Sequence, residues 1–169
     1  MSRTLSIIVL MGLATALPGV AAAQQKSLKE QLIGTWTLVS WEGTRADGTK
    51  YRDFGEHPKG LNTFDANGQF SAIFMRPDLP KIASSDRAKA TADEAQAIVR
   101  GALTYFGTYT VVEADNIISL RLDGTTFPNM STEAKRLITF ISGDELRYRN
   151  PSVDTASGGQ IEVVWKRTR

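Results

Sequence analysis

The sequence predicts an all-β domain: an up-and-down antiparallel barrel of about eight strands, with one short helix between the third strand and the fourth. Three observations predict it. Short segments rich in β-branched and aromatic residues follow one another across tight turns. The helix–strand alternation that marks a parallel sheet with crossover helices is absent. The later strands set apolar residues against charged ones, Ile118, Leu120 and Leu122 against Arg121 and Asp123, so each has one dry face and one wet face.

The domain is preceded by an expected leader over residues 1–23. Arg3 supplies a positive start, Leu5 to Leu17 is an uncharged, largely apolar run, and Ala21-Ala22-Ala23 gives the small residues that a signal peptidase reads. That run is short of the roughly 20 apolar residues a bilayer span needs, so cleavage after Ala23 is expected and no membrane anchor remains. A retained anchor is the alternative. Since no cysteine is present, there is neither a lipoprotein attachment atom nor a disulfide framework, and the core alone must hold the fold. The expected compartment is the periplasm or the exterior.

Lys and Arg number 20 against 18 Asp and Glu, and one of the basic residues, Arg3, leaves with the leader. A balance so near neutral gives no reason to invoke nucleic acid.

Residues 24–33 read as a lead-in, a tail or a short helical turn, and a single domain follows over 34–169. The first strand is Gly34 to Glu42, with a turn at Ala46-Asp47-Gly48. Gly60 to Asp65 and Gln69 to Met75 form a hairpin, signalled by Asn67-Gly68 between them. Pro77 and Pro80 close that strand. Thr91-Ala92-Asp93-Glu94 then matches a capping box, and Ala95, Ile98, Val99, Ala102 and Leu103 recur as one helical stripe. Strands resume with Tyr105 to Glu113 and Ile117 to Asp123. Arg136 to Ile141, Glu145 to Arg149 and, after a loop at 150–159, Gln160 to Arg167 complete the set. Alternation assigns the dry faces to Leu137, Thr139 and Ile141, to Leu146 and Tyr148, and to Ile161, Val163 and Trp165.

Sequential hairpins with one dry face remove their exposed edges by closing, and a barrel of about eight strands has room for packed side chains or one small ligand. Gly34-x-Trp36 opening the first strand and Val163-Val164-Trp165-Lys166-Arg167 closing the last resemble the lipocalin signature. The ordered set of Pro58-Lys59-Gly60-Leu61, Asp65-Ala66-Asn67-Gly68, Met75-Arg76-Pro77-Asp78, Tyr105-Phe106-Gly107-Thr108-Tyr109 and Phe127-Pro128-Asn129 is similar to the bacterial and fungal lipocalin-like domain family. The resemblance implies a barrel in which a terminal basic residue lies over the tryptophan of the first strand. Here that pair is Arg167 and Trp36, a cation–π contact worth roughly 0.5–2 kcal/mol if the two strands close the barrel. The plain alternative is a solvated Arg167.

Few chemistries are available. His57 is the single histidine, so neither a histidine-based dyad nor a multi-histidine metal site can be built, and a loop role suits it. No glycine-rich phosphate loop or nucleophile elbow appears, and nothing points to a cofactor. Arg76 follows Phe70, Ala72 and Phe74 on one strand face, which places a guanidinium at the barrel mouth if that face is inward. It would then hold a ligand carboxylate or polarise a carbonyl; alternatively it bonds strand-end carbonyls or Asp78. Phe64, Phe74, Tyr105, Tyr109, Phe127 and Trp165 suffice to line a pocket, or to form plain core. The loop from Asp123 to Asn129 is a candidate rim, or a long turn. Arg147, Arg149, Lys166 and Arg169 form an outward basic stripe, and Asn129-Met130-Ser131 matches a glycosylation acceptor.

Two readings of different class follow. In the first, the barrel binds a small hydrophobic or amphipathic molecule outside the cytoplasm. In the second, the same pocket isomerises, cyclises or hydrates a small substrate. A third, structural reading fills the interior completely. The resemblance fixes the fold more firmly than the role, because one fold hosts many chemistries.

Overall fold

The computed structural model describes residues 26–151 and 159–169. The leader expected over 1–23 and most of the loop before the last strand lie outside the described residues.

The chain enters through α1 (Leu28–Leu32), where Ser27 and Glu30 form a capping box that satisfies the amides of a helix only five residues long. The Glu113 carboxylate accepts the Leu28 and Lys29 amides at 2.9 and 3.2 Å, tying this lead-in to the body. The strands are β1 (Gly34–Arg45), β2 (Lys50–Tyr51), β3 (Lys59–Phe64), β4 (Gln69–Met75), β5 (Ala102–Val112), β6 (Ile117–Thr125), β7 (Glu133–Ile141), β8 (Glu145–Arg149) and β9 (Gly159–Arg167). The two-residue β2 is an annex at the end of β1. From β3 onward each strand pairs antiparallel with its successor, β1 pairs with β3, and β9 returns to β1. The result is a closed antiparallel barrel of eight strands, with no unpaired edge on the main ring.

The hairpin signals act where expected. At the β3–β4 turn Gly68 takes φ +88°, a left-handed conformation that costs glycine nothing, and the Asp65 side chain accepts the Gln69 amide at 2.8 Å. Thr91 and Glu94 make the capping box of α2 (Ala92–Gly101) between β4 and β5. The helical stripe is shorter than the sequence pattern. Ala102 and Leu103 belong to β5, because Met75 pairs with Ala102 and Phe74 with Leu103 in the sheet ladder. Val99 points to solvent, 71% exposed. Cross-strand bonding here outweighs local helical periodicity.

Two bulges reset the inward faces. In β1 the pairing to β9 slips between Leu38 and Ser40, so Trp36, Leu38 and Trp41 are buried, while Ser40, which strict alternation from Trp36 and Leu38 would put on their face, leaves it. In β7 the pairing to β8 slips between Ile138 and Phe140. Ile138 is therefore buried and Thr139 exposed, and the inward set reads Ala134, Arg136, Ile138, Ile141 in place of the expected Leu137, Thr139, Ile141. The other expected faces hold: Ile118, Leu120, Leu122, Leu146, Tyr148, Ile161, Val163 and Trp165 are all buried.

The two ends differ. At one end stand α1 and the tight turns β3–β4, β5–β6 and β7–β8. At the other stand the longer segments at 52–58, 76–101 and 126–132, with Asn150 and Pro151. No described helix is long and apolar enough to cross a membrane.

Candidate ligand cavity

The first end is sealed. Trp36 and Arg167 are paired across β1 and β9, and the guanidinium carbon of Arg167 lies 4.1 Å from the Trp36 ring centroid. The same guanidinium donates to the carbonyls of Ile33 at 2.9 Å, Gln31 at 2.7 Å and Gly143. Trp36, fully buried, donates its Nε1–H to the Leu32 carbonyl at 2.8 Å. Gly34 takes φ +132°, and a Cβ there would sit 2.7 Å from Arg167 Nη1. The Gly-x-Trp spacing thus has a local cause: the glycine clears the path of the arginine that covers the tryptophan.

Behind the seal the barrel is packed. Phe64 stacks on Phe70 with centroids 6.3 Å apart and meets Tyr109 edge-on at 5.0 Å, and the Tyr109 hydroxyl donates to the Asp65 carbonyl at 2.7 Å. Both are core-facing, but neither Phe64 nor Tyr109 lines the interior cavity.

That cavity lies towards the other end, with a volume of about 270 Å3. Its wall is aromatic: Trp41, Phe54, Phe74, Tyr105 and Tyr148, with Phe127 and Met130 at the rim. Phe74 is the hub, stacked on Phe54 at 5.5 Å and Tyr105 at 5.9 Å and edge-on to Trp165 at 5.3 Å. Trp165 itself lies fully buried beneath. A wider open groove of about 1050 Å3 shares Leu103, Phe127, Met130, Arg136 and Asn150 with the cavity and leads outward.

Of the residues picked from the sequence, Phe74, Tyr105 and Phe127 therefore line the cavity and Trp165 underlies it. Arg76 is elsewhere. It lines neither space, and its Nε and Nη2 each donate at 3.0 Å to Asp78, the structural alternative raised for it. The guanidinium beside it holds the Asp78 carboxyl below its ordinary value.

The cationic residue at the cavity is Arg136, brought inside by the β7 bulge. Its Nη2 lies 3.4 Å from the Tyr105 hydroxyl. Tyr148 stands close by, and burial pushes its phenol far above the ordinary tyrosine range; Tyr105 adds to that, while Arg136 and Trp165 offset a part. Asn62, 2% exposed, donates from Nδ2 to the Tyr148 hydroxyl at 3.4 Å. At the rim, burial raises the carboxyl of Asp53, and Arg45 opposes the shift. Trp41, Asp53, Phe54, Met130, Arg136 and Asn150 were not legible as site residues. A period-two count cannot cross an unmarked bulge, the segment at 52–54 carries no motif, and the Phe127-Pro128-Asn129 and Asn129-Met130-Ser131 matches do not tell that Met130 turns to the cavity.

A family model described as lipocalin-like domain matches residues 33–168. The chain belongs to that family. Among solved structures, a lipocalin-like protein from Bacteroides uniformis is 18% identical, the match covering 82% of this chain and 99% of that one with a TM-score of 0.46. A redesigned β barrel is 13% identical, with 85% and 100% covered and a TM-score of 0.43. No curated protein matches. The lipocalin-like fold accounts for the sealed end and the ring of strands; it does not name what enters the open end.

Proposed function

We propose that this lipocalin-like protein is an exported binding protein for a compact apolar or amphipathic small molecule, held inside the barrel. The observation that carries the reading is the aromatic-walled cavity of about 270 Å3, open at the end opposite the Arg167–Trp36 seal. Concave, mainly apolar sites with a few convergent polar groups are the usual form of small-molecule sites, whose volumes start near 300 Å3. A cavity at that lower bound suits a one- or two-ring molecule or a short chain. A long acyl chain would have to extend into the outer groove. Export is supported by the charged start, apolar run and small residues of the first 23 positions.

Binding is favoured over catalysis by the character of the polar tips. Burial keeps the Tyr148 phenol protonated, so it serves as a hydrogen-bond donor and not as a base. The test is a thermal-shift screen of compact aromatic alcohols, aromatic acids and short amphiphiles. A ligand at one hundred times its dissociation constant adds about 2.7 kcal/mol, or roughly 5–10 °C for a domain of this size. A flat response to every class would overturn the proposal, and recovery of a chemically altered ligand would replace it with the enzyme reading.

A further inference from the structure

The outer surface of the barrel is divided by charge. From Gly34 to Trp41 and throughout β3, β4 and β5, Lys59 is the sole charged residue, whereas each of β6 to β9 carries at least two. The sheet ladder lays the outward side chains of the uncharged strands in rows. One row runs Thr37, Leu61, Ile73, Thr104 from β1 to β5, and the next runs Thr35, Thr63, Ser71, Phe106. Lys59, Met75 and Ala102 make a third row at the margin. Leu61 and Phe106 are 42% and 52% exposed, so this face meets water. It shares no residue with the cavity wall.

The face is complementary to itself. Its central row reads the same from either end: hydroxyl, apolar, apolar, hydroxyl. A two-fold axis along the strands, between β3 and β4, sets Leu61 of one copy over Ile73 of the other and Thr37 over Thr104. The strands of the two sheets then run nearly aligned, as packed sheets prefer. Two of the hydroxyls would enter that contact already partnered, Thr37 with Thr168 at 2.8 Å and Thr35 with Thr63 at 3.5 Å. Phe106 lies flat at the border, because Gly124 beneath it has no Cβ to lift the ring; a Cβ there would come 2.6 Å from Phe106 Cε1.

Size sets the strength of the contact. Four strands about 4.8 Å apart and three outward rows about 6.7 Å apart make a rectangle of roughly 400 Å2. Two copies can therefore bury up to about 1,000 Å2 of corrugated accessible surface, the size of a weak, reversible complex. Strand addition is closed to these four strands, since each is paired on both sides in the ring, so they can associate only face to face. We propose that the uncharged outer face of β1, β3, β4 and β5 is a self-association surface, on which a second copy of this chain docks about a two-fold axis. A lipid surface is a poorer fit, because Phe106 lies along the sheet instead of projecting from it.

Sedimentation velocity of the full mature chain from about 1 to 500 μM should show a monomer–dimer equilibrium with a midpoint in the micromolar range. Leu61→Asp sets a carboxylate against the apolar centre of the other copy, twice per dimer, and should raise the dissociation constant at least about thirtyfold. Thr104→Arg, at the far end of the same row, should act in the same direction. Should Leu61→Asp fail to fold, Thr104→Arg still decides. Phe140→Asp, on the exposed surface of β7, should leave the dimer unchanged. A native chain that stays monomeric over the whole range would overturn the proposal. So would a dimer indifferent to both Leu61→Asp and Thr104→Arg, which would place the contact elsewhere. Sedimentation of the native chain with phosphatidylcholine vesicles, abolished by Leu61→Asp, would overturn it in favour of a lipid surface.

Discussion

Arg167 lies across the ring of Trp36 with its guanidinium carbon 4.1 Å from the centroid, and it bonds three backbone carbonyls from that position. One side chain thus joins the lead-in, the first strand, the last strand and the β7–β8 turn. It closes the barrel as a seam and caps one end as a plug. Arg167→Ala should cost about 3 kcal/mol, combining the cation–π term with charge-assisted bonds to otherwise unmet carbonyls. Arg167→Lys should recover less than half, because an ammonium cannot fork to several carbonyls while lying flat on an indole. Urea midpoints of the two variants check this; two midpoints within error of the native chain would mean a solvated terminal arginine.

The α2 helix should behave differently, as a local unit. Only Gly101 of α2 is buried, and Val99 is 71% exposed, so little of the barrel's stability runs through it. Its N-terminus is held by Thr91 and Glu94, and Glu94 also accepts the Ala83 amide at 2.9 Å, which together with the Thr91 amide holds that carboxyl below its ordinary value. Thr91→Ala should weaken the helix by about 1 kcal/mol and speed exchange of its amides roughly fivefold. Protection of β1 and β9 amides should be unchanged. Equal acceleration in β1 and β9 would show that α2 unfolds only with the barrel.

Why the fold was legible and the site only in part comes down to a few residues. Asn67-Gly68, Thr91 with Glu94, and Gly34-x-Trp36 each encode their geometry within four residues, so a linear reading finds them. The alternation in β6, β8 and β9 survives because the buried sets of those strands keep period two. β1 and β7 break it, at Val39 and Thr139, and neither bulge carries a glycine or proline to announce it. Each costs one residue of phase, and one residue is enough to exchange inside for outside. Trp41 and Arg136 were missed for that reason. Arg76 drew the functional reading that the structure gives better grounds to place on Arg136.

That exchange is testable directly. Arg76 and Asp78 make an exposed ion pair, with side chains 42% and 63% accessible, and such pairs contribute about 0–1 kcal/mol. Arg76→Ala should leave stability within about 0.5 kcal/mol of native and ligand affinity within about twofold. Arg136→Met keeps an unbranched apolar stem in the wall but removes the donors facing Tyr105 and Tyr148. It should weaken any ligand whose head reaches those phenols by about tenfold. Calorimetric titration of both variants with the tightest ligand from the thermal screen measures the contrast. The opposite order, with Arg76→Ala the damaging change, would move the site out of the barrel to the end of β4.

Alkaline titration probes the buried Tyr148 phenol without any ligand. Burial raises the Tyr148 phenol above its value in the unfolded chain, so the folded state keeps this proton at pH values where the unfolded state has lost it. A group with a raised folded pKa contributes its full stability below the unfolded value, about 10 for tyrosine, and that contribution drains away as pH rises beyond it. The slope is about 1.4 kcal/mol per pH unit for one such group. Tyr109 is also raised, by burial first and Asp65 second, and adds to the effect. Stability from urea melts should therefore be flat in this respect between pH 8 and about 9.5, then fall steeply. Tyr148→Phe removes the ionisable group but retains the packing against Trp165, so its loss of stability above pH 10 should be shallower than that of the native chain by about one group's slope. An identical alkaline slope in Tyr148→Phe would mean that the phenol reaches solvent in the folded chain and is not held dry behind the cavity wall.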